Sequence, residues 1–325
     1  MTAVTRLPTA REIAVAKTVP PTWLVLSAFA AVYVIWGSTY LGIHIAVQSM
    51  PPLMMAGARF LIAGLVLYPI MRLRGGARPT LIQWRDASII GALLLVGGNG
   101  GVSWAQQSVP SGISALVVAA TPLWMNLIDW LRPSGKRPTV AVFAGLAVGF
   151  AGVTLIGLSR DHLGQRIVPP VGAIVLLLAT LCWAFGSVFS RHARQPSSPL
   201  LAIGMQMITG GALLMLCGVA GGELPRLAPS AFTHASIVAF IYLTLFGSMV
   251  GFTAYVWLLQ VSTPARVSTY AYVNPLIAVL LGRLVLNEPL PGSVLFAGTL
   301  IITAVILIVL RKSPAVPRSP SAESV

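Results

Sequence analysis

Stretches of about 20 apolar residues, the length that crosses a bilayer core, recur along this chain with short polar breaks between them. Ten qualify, at residues 23–46, 53–72, 87–107, 111–131, 139–158, 171–191, 199–220, 235–259, 264–286 and 292–311. Runs such as Val171 to Leu181 and Ile301 to Leu310 carry no charge. The fourth and ninth stretches each hold polar residues and a proline, so the hydropathy signal is weakest there. The pattern predicts an all-α membrane protein of ten transmembrane helices. Residues 1–22 form a basic tail, and the Ser- and Pro-rich residues 312–325 are predicted to be disordered. Ala28-Phe29-Ala30 resembles a signal-peptidase site, but too few apolar residues precede it, so the first span reads as an uncleaved anchor.

Composition excludes the alternatives to a membrane protein. Of 325 residues, 56% are hydrophobic and 9% charged, whereas soluble domains carry about 25% charged residues. A net charge of +14 raises the question of nucleic acid. The Lys and Arg residues, however, fall between the apolar runs, as topology determinants do, and not on one basic face. With the N-terminus inside, sixteen basic residues lie on the cytoplasmic side, among them Arg72, Arg78, Arg137, Arg191 and Arg311. Only Arg160, Arg166 and Arg226 lie outside, and Arg59 and Arg283 fall within spans. That bias puts both termini in the cytoplasm and the loop 159–170 on the outer side. Cys182 and Cys217 sit inside apolar runs and read as packed small hydrophobes, not as a disulfide or a metal pair.

The two halves match each other. An offset of 147 pairs Trp36 with Trp183, Pro52 with Pro199, Gly57 with Gly204 and Gly64 with Gly211. An offset of 153 then pairs Gly98 with Gly251, Trp104 with Trp257, Gln107 with Gln260, Pro122 with Pro275 and Pro138 with Pro291. Paired Trp, Gln and Pro at constant spacing do not arise readily from a low-complexity apolar composition. Five spans per half would invert the second half, residues 171–311, relative to the first, residues 23–158. Inverted repeats are the usual architecture of alternating-access transporters, with the site near the midplane where the halves meet.

Short motifs add a resemblance. Trp36-Gly37-Ser38-Thr39-Tyr40, Pro51-Pro52, Ala56-Gly57-Ala58-Arg59-Phe60, Asn274-Pro275-Leu276 and Asn287-Glu288-Pro289 resemble the EamA family of the drug/metabolite transporter superfamily over roughly residues 23–311. The resemblance implies ten helices in two EamA repeats, an inner-membrane location, and export of amino acids, related metabolites or toxic compounds. It also implies a central cavity lined by helices one, three, four, six, eight and nine. One departure stands out: Arg132-Pro133-Ser134-Gly135-Lys136 occupies the place of the second half's Glu-Pro turn, so Glu288 has no acidic counterpart.

Candidate site residues follow from polar and aromatic side chains on single helix faces. Tyr33, Trp36, Gly37, Tyr40 and His44 share one face of the first span at spacings of three and four. Thr180, Trp183, Ser187 and Arg191 share the matching face of the sixth. Such a stripe suits a wet cavity, and interhelical packing is the plainer reading. Gly97-Gly98-Asn99-Gly100-Gly101 would either unwind, with Asn99 beside substrate, or pack closely through its small residues. Pro122 and Pro275 are paired mid-span kinks, the second bringing Tyr270, Tyr272 and Asn274 toward a cavity. Trp104 and Trp257, near helix ends, read as interfacial anchors. Arg59 lies two turns inside its span and must meet carbonyls, water or an anion: a structural tie is the plainer reading, a substrate carboxylate the sharper one. Asp129 and Glu288 are the carboxylates within or beside spans, and His44 is the one candidate proton carrier.

These residues point to a secondary transporter that binds a small molecule within a lipid bilayer, with no cofactor, no metal and no nucleic-acid partner expected. Monomer and homodimer both stay open, as do uniport, exchange and proton antiport. A membrane enzyme is disfavoured, because four His and seven carboxylates, mostly in loops, assemble no protease or metal motif. A receptor or scaffold is the third class, distinguished by binding ligand without net flux.

Overall fold

The computed structural model describes residues 20–131, 140–160, 167–262, 267 and 269–311, and every regular element within them is helical. Nearly all of the N-terminal tail, the whole C-terminal tail and the Arg132–Lys136 turn expected above lie outside the described residues. In chain order the rods are α1 (Thr22–Ala46), α2 (Pro52–Leu73), α3 (Leu81–Ala105), α4 (Ser111–Val118, continuing as Thr121–Leu131), α5 (Val140–Leu158), α6 (Pro170–Ser190), α7 (Pro199–Ala220), α8 (His234–Tyr242, continuing through Leu243–Val250 into Gly251–Val261), α9 (Tyr270–Leu286) and α10 (Gly292–Arg311).

Among the described residues seven stretches are long and apolar enough to cross a membrane, lying in α1 to α4 and α6 to α8. Phe143–Ile156, Val273–Leu286 and Gly292–Ala304 are apolar but shorter. The helices bury apolar residues such as Phe60, Leu123, Leu176 and Leu214 between them and leave others facing outward. Leu26, Ile62, Leu65, Leu178, Leu216 and Leu284 stand outward and exposed, as a lipid-facing surface requires.

One helix start differs from the apolar pattern. α3 begins at Leu81, six residues before the expected 87, because a capping box opens it: the Thr80 hydroxyl accepts from the Gln83 amide at 3.3 Å, and the Gln83 side chain accepts from the Thr80 amide at 2.9 Å. Polar Gln83, Arg85 and Asp86 hid this first turn from a hydropathy reading. α9 is described from Tyr270, and its expected start at 264 lies outside the described residues.

The glycine run in α3 does not unwind. It stays helical in a widened π form over Ala92–Gly100, and α8 carries a second π segment over Leu243–Val250. Such a segment inserts an extra residue into the turn and re-aims the side chains beyond it.

α2 and α7 cross through glycines, as small residues allow in a membrane. A Cβ placed on Gly57 would come 3.0 Å from the Gly211 carbonyl, and one on Gly64 would come 2.9 Å from the Gly204 carbonyl. α5 and α10 meet in the same manner, with Gly152 against the Ala297 carbonyl.

Candidate functional site

A cavity of about 640 Å³ lies among α1, α2, α3, α4, α6, α7, α8 and α9. Its size suits a small organic molecule, since ligand sites run to roughly 300–1,000 Å³. α7 and α2 contribute to the wall beyond the six helices that the resemblance implied.

Two tryptophans shape the cavity, each seated on a glycine of the other half of the chain. Trp36 of α1 lies against Gly251 of α8, where an added Cβ would fall 2.5 Å from the indole nitrogen. Trp183 of α6 lies against Gly98 of α3, where an added Cβ would fall 2.7 Å from its ring. Trp36 also donates to the Gly247 carbonyl at 3.3 Å, a carbonyl within the π segment of α8. Around it gather Phe252, Tyr255 and Tyr270, with ring centroids 5.1, 5.1 and 5.3 Å away. This aromatic cluster gives the cavity wall an apolar, ring-lined patch.

The polar groups are few. Asn274, buried one residue before the kinking Pro275, donates through its amide to the carbonyls of Tyr270 at 3.2 Å and Tyr33 at 3.3 Å. The Tyr33 hydroxyl meets that of Thr269 at 2.5 Å. Trp124 donates to Thr180 at 2.9 Å, joining α4 to α6. Ser248 lines the wall with its buried hydroxyl unpartnered. Arg59, 3% exposed, donates to the Asn99 side chain at 2.9 Å and lies 4.3 Å over the Phe60 ring.

The cavity is asymmetric along its length. One end reaches Ser190, Arg191 and Gln195, the last two exposed, beside the Arg-rich loop after α6. The other end stops at buried Ile43, Val102 and Ala115. Beyond that closed end two carboxylates bind helix starts. Glu288, 8% exposed, follows Asn287, whose left-handed backbone (φ 52°) terminates α9 and turns the chain back. Its two oxygens accept from the Ser111 and Gly112 amides of α4 at 2.6 and 3.0 Å. Glu223, 5% exposed, accepts from the Leu53 and Met54 amides of α2 at 3.0 and 2.9 Å. Both targets are free donors because they open helices that start at prolines, where the amides have no intrahelical acceptor. At the Arg-rich end Asp86 is buried as well, but it holds the loop between α6 and α7 and not a helix start. It accepts from the Arg194 amide at 2.7 Å and pairs with the Arg85 guanidinium at 2.7 Å.

Of the residues singled out from the sequence, Trp36, Tyr40, Asn99, Trp183, Ser187, Tyr270 and Asn274 all line this one cavity, and Arg59, Pro122 and Pro275 line it too. His44 and Glu288 do not. His44 sits near the closed end, with Gln48 3.4 Å from its ring. The reading of Asp129 and Glu288 as the carboxylates at the spans is corrected: Asp86 and Glu223 are buried there as well, and the Asp129 side chain lies outside what is described. Sequence reasoning also missed Phe252 and Tyr255. The signal was available, since Phe252 follows directly on Gly251, the expected repeat partner of Gly98, and Tyr255 lies one helical turn further on.

A family model described as "EamA-like transporter family" matches residues 22–158 and 170–310. The chain is 40% identical over 286 residues to the "Uncharacterized inner membrane transporter YedA" of Escherichia coli (strain K12), covering 88% of this chain and 90% of that one. It is 26% identical over 286 residues to the "Probable amino-acid metabolite efflux pump" of the same strain, covering 84% and 90%. A solved structure described as "Crystal structure of protein" aligns with a TM-score of 0.59 at 21% identity, over 89% of this chain and 98% of that one, a likeness of fold.

Proposed function

The chain belongs to the EamA-like transporter family, and from that premise we propose that it is a secondary transporter exporting small organic molecules across the inner membrane by alternating access. The cargo class is amino acids, related metabolites or drugs. The name of the efflux-pump relative favours the outward direction.

The observation that carries this reading is the exchange of tryptophan and glycine across the cavity. Trp36 pairs with Trp183 and Gly98 with Gly251 in the sequence repeat. The contacts Trp36 on Gly251 and Trp183 on Gly98 are therefore one contact made twice. The crossings of Gly57 with Gly211 and Gly64 with Gly204 obey the same two-fold relation. Contacts doubled in this way support ten transmembrane helices arranged as two inverted five-helix repeats, residues 23–158 and 171–311, joined by the outer loop 159–170. Two halves of similar energy flanking one cavity can open to either side in turn.

In the proposed orientation the Arg-rich end is cytoplasmic, both termini included. The cavity then faces inward, while Glu223 and Glu288 hold the outer side shut. This is the state that collects cargo from the cytoplasm.

Flux from loaded proteoliposomes tests the proposal. A panel of amino acids and cationic drugs, with and without a pH gradient, is expected to yield net efflux of at least one member. Binding without flux would identify a receptor instead. Trp36→Ala and Tyr40→Ala are each expected to lower flux by about tenfold or more, the scale of a lost aromatic contact together with its buried area, with expression unchanged. Undiminished flux in both variants would remove this helix face from the site.

A further inference from the structure

Arg59 is the one buried basic side chain of the cavity wall, and its partners leave it unfinished. A guanidinium carries five donors in a planar fork matched to a carboxylate. Here Nη2 is used by Asn99, the face rests on Phe60, and Nε is buried with no acceptor. Among the described residues the ion pair is Arg85 with Asp86, and no carboxylate lies within ion-pair distance of Arg59. A purely structural tie would spend those donors on carbonyls of neighbouring helices. Here Arg59 is part of the cavity lining.

The cavity's charge balance points the same way. Among the described residues its charged lining side chains are Arg59 and Arg191, with no Asp or Glu beside them. A site for a lipophilic cation would need a carboxylate or an acid-free aromatic cage, and the cation at Arg59 opposes both. The apolar counterpart is close at hand. Asn99, which holds Arg59, follows Gly98, the residue on which Trp183 lies.

We propose that Arg59 is the substrate-selecting residue of this transporter, receiving the carboxylate of an organic acid or amino acid whose apolar or aromatic body lies toward Trp183 and Trp36. This deepens the transport reading and rests on it. The repeat partner of Arg59 is Gln206, which lines the wall without charge and donates to Gln195 at 3.4 Å. The carboxylate site is therefore single, lies on α2, and fixes the orientation of the cargo in the cavity.

The test is counterflow in proteoliposomes with phenylalanine, 3-phenylpropionate, phenylalaninamide and tetraphenylphosphonium, alongside ligand-induced changes in tryptophan fluorescence of the detergent-solubilised protein. The wild type is expected to take one or both carboxylates at least about tenfold better than the amide and the phosphonium, the range of one charge-assisted hydrogen bond. The two carboxylates separate a zwitterion-specific site from a general anion site. Arg59→Gln is expected to erase that preference. Arg59→Lys, which keeps the charge and loses the fork, is expected to keep the preference at lower affinity. Should the glutamine variant fail to fold, the lysine variant and the wild-type panel still decide. Preference for the amide or the phosphonium in the wild type, or carboxylate preference surviving in a folded Arg59→Gln, overturns the assignment of Arg59 and leaves transport standing. No flux of any class, here and in the wider panel, overturns the transport reading instead.

Discussion

Glu288→Ala is expected to cost about 2–5 kcal/mol of stability, the scale of two buried amide donors left without their charged acceptor. The Ser111 and Gly112 amides would be left facing a void at the start of α4. Neither can find an intrahelical acceptor, because both lie in the first turn. Glu223→Ala is expected to act alike on Leu53 and Met54 of α2. Each carboxylate comes from the second half of the chain and binds the first, so losing it also loosens the closed end of the cavity. A cysteine replacing Ile43 is then expected to react faster with an impermeant maleimide added outside. A loss below about 1 kcal/mol with unchanged labelling would mean that water replaces the carboxylate at no cost.

Gly251→Leu is expected to abolish transport, lowering flux by about 100-fold or more, since overpacking here must displace the residue that shapes the site. Even a Cβ at this position falls 2.5 Å from the Trp36 indole nitrogen, and the indole is held there by Phe252, Tyr255 and Tyr270. The indole cannot yield without breaking its bond to Gly247. Combining Gly251→Leu with Trp36→Ala relieves the excess volume and is expected to recover part of the folded yield, though not the flux. Gly98→Leu against Trp183 is the matching experiment in the other half. Full activity in either glycine variant would show that the indoles pack elsewhere in the working protein.

The helical class was legible from the sequence because it rests on a strong local signal, and the proposed doubling of the chain rests on another. Apolar length marks a membrane helix, and rare residues at constant offset mark a repeat. The cavity face was legible for the same reason: Trp36, Tyr40, Trp183 and Ser187 interrupt apolar stripes at helical spacing. What escaped were contacts made by residues that look like loop. Glu223 follows Gly221-Gly222 beyond the end of α7, where composition says turn. Only the fold shows that the positive φ of Gly222, 73°, helps carry that carboxylate back onto α2. Asp86 was hidden by the polar first turn of α3, which the Thr80 cap holds helical despite its composition. The π segments of α3 and α8 were not legible either, since a glycine run is equally compatible with unwinding and with close packing. Asn99, read as a substrate contact, is engaged with Arg59, a pairing across 40 residues that no periodicity reveals.

Side-specific labelling of one cavity position tests most directly the claim that this cavity opens to each side in turn. Ser187→Cys suits it, because that residue lines the wall and is only partly buried. Cys182 and Cys217 would first be replaced by alanine so that the new thiol is the sole target. An impermeant maleimide is expected to reach residue 187 from the cytoplasmic side at rest, and from the outside when Glu223 and Glu288 are both replaced by glutamine or when substrate is supplied externally. Labelling confined to one side under every condition would contradict alternating access.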